Sequence, residues 1–214
     1  MKYGSLVGFF FAIPLLWYRD RKKGSYGAGD NLISCSMALQ IGKIFDEAKK
    51  AGHPLLKHTR IRVISFDAEE AALKGSKAYV KAHKQELLNL PTIALCPDCV
   101  YTMKDFKIVA GDQNGTIKVP QKLVDEVVEV AEKLGHKTKG FPWPFGGGAS
   151  DTASFLKIGV PAITLMGMST DMIREGLVQH TQKDVVSAID RDIIDLIMKI
   201  QFEYILKKER ELNP

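Results

Sequence analysis

Asp67-Ala68-Glu69-Glu70 places three carboxylates within four residues. They close the run Ile61-Arg62-Val63-Ile64-Ser65-Phe66, whose apolar character predicts a buried β-strand. Acidic side chains crowded at a strand end repel one another, and a bound cation would relieve that repulsion. Two adjacent glutamates could then divide the work, one binding metal and the other taking a proton from metal-bound water. Asp67 with Glu70 three residues on also fits a helix capping box, which needs no metal.

Three more polar positions fall at strand ends or in the loops that follow, where α/β domains place their chemistry. In Gly27-Ala28-Gly29-Asp30-Asn31, Asp30 is a candidate metal ligand, and the bland alternative is a glycine turn with a helix N-cap. Asp98 lies just past a strand ending at Cys96. His180 precedes Thr181 and Asp184, which by themselves fit a T-x-x-D capping box. Cys96-Pro97-Asp98-Cys99 offers a redox pair or half a zinc knuckle. No second C-x-x-C accompanies it, which excludes a four-cysteine zinc site, and no convincing helix follows it as thioredoxin-like chemistry requires. The loop Phe145-Gly146-Gly147-Gly148-Ala149-Ser150-Asp151 lacks the Gly-Lys-Ser/Thr ending of a phosphate loop, and Asp151 would repel phosphate. It suits the rim of a substrate pocket, with Trp143, Phe145 and Asp151 as candidate substrate-binding residues.

The elements that must position these groups alternate. Helices are expected over Asn31 to Lys50, Ala71 to Lys84, Pro120 to Leu134, Ser150 to Lys157 and Lys183 to Lys208. Strands are expected over Ile61 to Phe66, Thr92 to Cys96, Phe106 to Ala110 and Val160 to Leu165. Such alternation predicts an α/β fold, a three-layer α/β/α sandwich with a central mixed, largely parallel sheet.

The 214 residues suit one domain with a full hydrophobic core, and 45% apolar with 26% charged residues marks a globular chain. The net charge of +5 is dispersed, with no basic stripe interleaved with aromatics, so nucleic acid is not an expected partner. Three cysteines suit a reducing compartment, hence a cytoplasmic location. Leu6 to Tyr18 is apolar and is followed by Arg19-Asp20-Arg21-Lys22-Lys23. Its thirteen residues are short for a membrane span and lack a signal-peptide cleavage site. Three readings stand: a peripheral membrane anchor, a buried or partner-facing hairpin, or an internal segment of a longer protein. The third is favoured. Residues 1–24 are therefore set apart from a domain over 25–214.

Taken in order, the motifs resemble the zinc aminopeptidase family with two co-catalytic zinc ions, whose fold is shared with glutaminyl cyclases and transferrin-receptor-like domains. Gly27-Ala28-Gly29-Asp30-Asn31 resembles its Gly-Ala-x-Asp-Asn, whose aspartate bridges the metals. Asp67 to Ser76 resembles its Glu-Glu pair and Gly-Ser helix. Asp98 falls where a further aspartate binds the other zinc. Ala149-Ser150-Asp151 with Phe155 and Gly159 to Ala162 resembles its Ser-Asp…Phe…Gly-Ile-Pro-Ala stretch, and His180-Thr181 with Asp184 its final His-Thr-x-x-Asp. The resemblance implies Glu69 as general base, and Asp30, Glu70, Asp98 and His180 as zinc ligands. It implies a peptide substrate, cleaved at its N-terminus by metal-activated water.

One motif departs. The family's His-x-Asp, which supplies its first metal ligand, occurs nowhere here. The chain therefore reads as an N-terminally truncated domain, with a homo-oligomer or a separate N-terminal chain as candidate partner. One zinc would keep Asp30, Glu70 and His180; the other would keep only Asp30 and Asp98. His53, His58, His83 and His136 are further candidates without a geometric reason to choose among them. A mononuclear set of this kind also resembles the glutaminyl cyclases. A catalytically silent homologue acting as an interaction module is the reading from another class.

Overall fold

The computed structural model describes residues 24–143, 148–169 and 176–212. Leu6 to Tyr18 and Phe145 lie outside the described residues.

Helix α1 (Ile33–Lys50) buries Met37, Ile41 and Phe45, one every four residues, as an amphipathic helix should. Leu32 and Leu39 lie off that stripe and face outward at 61% and 66% exposure. Helices α2 (Lys74–Ala82) and α3 (Lys84–Asn89) follow. Next come strands β1 (Ala94–Val100) and β2 (Phe106–Val109), then the hairpin β3 (Gly111–Asp112) and β4 (Ile117–Lys118). Helix α4 (Gln121–Lys133) begins directly after Pro120, whose fixed φ and missing N–H suit a helix start. Strand β5 (Gly140–Phe141), helix α5 (Thr152–Lys157), strand β6 (Ala162–Gly167) and helix α6 (Arg191–Leu212) complete the order.

The main sheet has the order β1-β6-β2-β5. β1 runs parallel to β6 and β5 parallel to β2, while β2 is antiparallel to β6. The sheet is therefore mixed with mostly parallel pairings, as expected. Side chains alternate across a strand, and β6 feeds two cores. Ile163 and Leu165 join Val100, Ile108 and the buried faces of α1, α4 and α6. Ala162 joins Val80, Leu87, Phe155 and Val160 against α2, α3 and α5. Helices on both faces make the α/β/α sandwich. No helix among the described residues is long and apolar enough to cross a membrane.

The predicted strand Ile61 to Phe66 is corrected: it joins no sheet among the described residues. Side chains fix it instead of a hydrogen-bonded ladder. Glu209 on α6 is 7% exposed. Its Oε1 accepts from the Lys57 and His58 N–H groups at 2.8 and 3.0 Å, and its Oε2 from Thr59 N–H at 2.8 Å. Arg62 donates to Glu86 Oε1 at 2.6 Å and to Tyr79 Oη at 2.7 Å. Phe66 packs on Tyr79 and Phe155.

Burial pushes the Glu209 carboxyl up, but the three backbone N–H donors outweigh it and hold it at about 2. Glu209→Gln should cost about 2 kcal/mol, because the new amide NH2 faces donors it cannot accept from. A depressed carboxyl stabilises the fold above its unfolded pKa of about 4.3, and loses that contribution as pH falls toward 2. Denaturant titrations at neutral pH and near pH 2 should show the wild-type advantage at the first and its absence at the second. An equal gap at both would refute the clamp.

Candidate metal centre

The segment after Phe66 does not form a capping box. Helix α2 begins at Lys74, and its preceding residue Leu73 caps nothing through its side chain. Ala68, Ala72 and Leu73 take left-handed backbone, which breaks the expected helix start at Ala71. Gly75 N–H bonds the Asp67 carbonyl at 3.0 Å. A Cβ on Gly75 would stand 2.2 Å from that oxygen, so only glycine lets the acidic loop fold back on the helix. That fold delivers Glu69 half-buried and Glu70 exposed at the site.

Asp30 arrives from the turn Ala28–Leu32 ahead of α1, where its own backbone is non-helical at φ -126° and ψ 84°. Asn31 Nδ2 donates to the Pro97 carbonyl at 3.1 Å, pinning the turn to β1. Fully buried Asp184 ties it to the other end of the chain. Its Oδ1 accepts from Gly29 N–H at 2.6 Å and its Oδ2 from Ser25 Oγ at 3.3 Å. The T-x-x-D reading is thus replaced: the Asp184 side chain holds the Asp30 turn, and α6 starts only at Arg191, not at Lys183. Gly29 lies so close to the Tyr101 ring that a Cβ would stand 2.1 Å from it.

His180 sits in the loop that Asp184 anchors, again with left-handed backbone. Its Nε2 lies 3.1 Å from Asp30 Oδ2 and also bonds Glu70 Oε1. Ligand atoms of Asp30, Glu70 and His180 all lie within 4.8 Å of one another, and so do those of Asp30, Asp98 and Cys99. Neither cluster includes His53, His58, His83 or His136. Of seven non-glycine residues with positive φ among the described residues, five (Ala68, Ala72, Leu73, Cys99 and His180) belong to this centre and its flanks. Such concentration of strained backbone is typical of functional sites.

The electrostatics are those of crowded acids. Burial, then the Glu70, Asp151 and Asp30 carboxylates, push Glu69 up to about 7, against the pull of His180. Burial and the charges of Asp30 and Glu69 push Asp98 well above the usual carboxylate range. Hydrogen bonds to Asp30 and Glu70 raise His180 to about 10 against the effect of burial. Its imidazolium is the counter-charge in that trio. Burial raises Asp151, which shares the field of Glu69, Cys96 and Asp98. Trp143 packs with Cys99, Tyr101, Val109 and Met166, its indole N–H buried without a partner among the described residues. The redox reading of the cysteines finds no support in their setting. Both sit on a strand, and burial drives their thiols up, Cys96 to about 12, whereas reactive cysteines are shifted down.

Two carboxylates and one imidazole converging from three loops form a donor set suited to zinc. Beside it stand a glutamate without a place in either cluster and a further aspartate at a parallel strand's end. Fold and site together define a zinc exopeptidase-like α/β protein. The chain belongs to Peptidase family M28, whose family model matches residues 18–205. Among solved structures it is similar to BSAP, a zinc aminopeptidase from Bacillus subtilis, at 20% identity and TM-score 0.68, over 86% of this chain and 42% of that one. It is similar to an aminopeptidase from Aneurinibacillus sp. strain AM-1 at 20% identity and TM-score 0.65, over 86% of this chain and 40% of that one. A glutaminyl cyclase of an Acidobacteriales bacterium matches at 17% identity and TM-score 0.58, over 87% of this chain and 63% of that one. The chain thus spans well under half the length of these aminopeptidases. No curated protein sequence matches it.

Asp184 is the positioning residue that sequence reasoning missed. Its motif was visible, but its direction toward Gly29, across 155 residues, was not. Cys99, whose ligand atom clusters with those of Asp30 and Asp98, is a second residue that sequence reasoning did not place at the site.

Proposed function

We propose that this chain forms the zinc-binding catalytic region of an aminopeptidase-like hydrolase acting on the N-termini of peptides. The convergence of Asp30, Glu70 and His180, with Glu69 beside them, carries this reading. Asp30, Glu70 and His180 would hold one zinc, and Asp30 with Asp98 would help hold another. When bound there, zinc polarises the scissile carbonyl and lowers the pKa of water toward about 7. Glu69 takes a proton from the attacking water as its oxygen bonds to the carbonyl carbon. It then gives that proton to the leaving amine as the carbon–nitrogen bond breaks. Asp184 keeps Asp30 opposite His180, and Trp143 and Asp151 are the described candidates for substrate contact. The free cysteines are consistent with a reducing, cytoplasmic setting.

The complete Asp–Glu–His trio beside a glutamate also supports a second reading, a mononuclear glutaminyl-cyclase-like enzyme. The two are separated by loading the purified chain with zinc, then supplying peptides with N-terminal leucine or glutamine. Release of free leucine is the expected result. Ammonia loss from the glutamine peptide without cleavage would select the cyclase. Neither product from a zinc-loaded chain would leave a silent homologue and overturn the hydrolase.

A further inference from the structure

We propose that Cys99 is a metal ligand, its thiolate joining Asp30 and Asp98 to hold a second divalent cation of the zinc class. The inference rests on the preceding reading that Asp30, Glu70 and His180 bind metal. No such role follows from the C-x-x-C spacing, because neighbouring side chains on a regular strand point to opposite faces. β1 is not regular there. Its register against β6 shifts between Asp98 and Val100, and Cys99 has a φ of 50°. The bulge re-aims Cys99, so that its Sγ shares a cluster with carboxylate oxygens of Asp98 and Asp30, all within 4.8 Å. Tetrahedral zinc separates sulfur and oxygen donors by about 3.6 Å, from Zn–S near 2.3 Å and Zn–O near 2.1 Å. Small side-chain rotations close that gap.

Two buried groups also face this point. Cys99 is 8% exposed, and its thiol donates to Gln179 Oε1 at 3.0 Å, next to His180. Tyr101 is 3% exposed, and its hydroxyl faces Asp184 without closing a full hydrogen bond to any described residue. The charged groups around that hydroxyl are Cys99, Asp184 and Asp30. A buried O–H that falls short of its acceptor beside an acid–thiol cluster is costly unless ordered solvent or a further ligand completes it. As the cation binds, the Cys99 sulfur–hydrogen bond breaks, the electron pair goes to the metal and the proton leaves to solvent. Asp30 would then be shared by both ligand sets, with Glu70 and His180 on one side and Asp98 and Cys99 on the other.

Cobalt(II) reports the ligand directly, since a thiolate bound to it gives an intense charge-transfer band in the near ultraviolet and oxygen or nitrogen ligands do not. The full chain titrated with cobalt should develop visible d–d bands and that near-ultraviolet band. Cys99→Ser should lose the charge-transfer band and one of two bound equivalents, while Cys96→Ser and Cys35→Ser keep both. Glu70→Gln should keep the charge-transfer band, because it alters the other site. Visible cobalt bands without charge transfer in the wild type would overturn the Cys99 assignment yet leave the metal site standing. So would a band that survives in Cys99→Ser. No bound cobalt at all would overturn both.

Discussion

Glu69→Gln should lower turnover of a peptide substrate by about a thousandfold while leaving zinc content unchanged. Positioned acid–base groups contribute roughly 10²- to 10⁴-fold, and glutamine keeps the size and polarity of glutamate without its ability to take a proton. Zinc content should hold because Glu69 is in neither ligand cluster. It should also hold because Glu69 adds to the repulsion around Asp98, so removing its charge relieves strain. Paired measurements of kcat and zinc per chain decide the matter. Full turnover in a zinc-replete variant would remove Glu69 from the chemistry. Loss of zinc together with turnover would make it a ligand instead of a base.

His180→Ala should weaken zinc by more than about a hundredfold, the upper range for losing a mere outer-shell partner. His180 supplies the nitrogen donor of its trio, as the neutral imidazole that replaces the imidazolium once a cation takes its place between Asp30 and Glu70. Without the ring, zinc at that position would keep two protein ligands in place of three. Competition against a chromogenic chelator gives the affinity. Unchanged affinity would show that the histidine only pairs with the acids. His53→Ala, on an exposed turn and outside both clusters, should match wild type.

Much of this centre was readable from sequence because its residues announce themselves locally. Asp30 follows glycines, Asp98 follows an apolar run (although β1 continues past Cys96 and through Asp98 to Val100), and the glutamates crowd at a segment's end. Alternating periodicities likewise gave the layered fold. What failed depended on partners distant in the chain. Ile61 to Phe66 has the composition of a strand, but strand formation needs a neighbouring backbone, and this segment is held by the carboxylates of Glu209 and Glu86. β5 spans only Gly140–Phe141, too short for any period to register. Cys99 was hidden by a one-residue bulge, which periodicity treats as an error in phase. Asp184 fits a capping box equally well on paper, and only its burial against Gly29 separates the two roles.

The hydrogen bond between Gly29 and Asp184 also sets an order of events. It closes a loop of 155 residues, an ordering cost that grows as the logarithm of length and reaches about 4.5 kcal/mol here. Contacts of such long range are met late when chains fold. During synthesis Asp30 leaves the ribosome long before His180 and Asp184, so the acids gather around an unfinished centre. Under the proposed function, the centre would become competent only after His180 and Asp184 have followed Asp30 out of the ribosome.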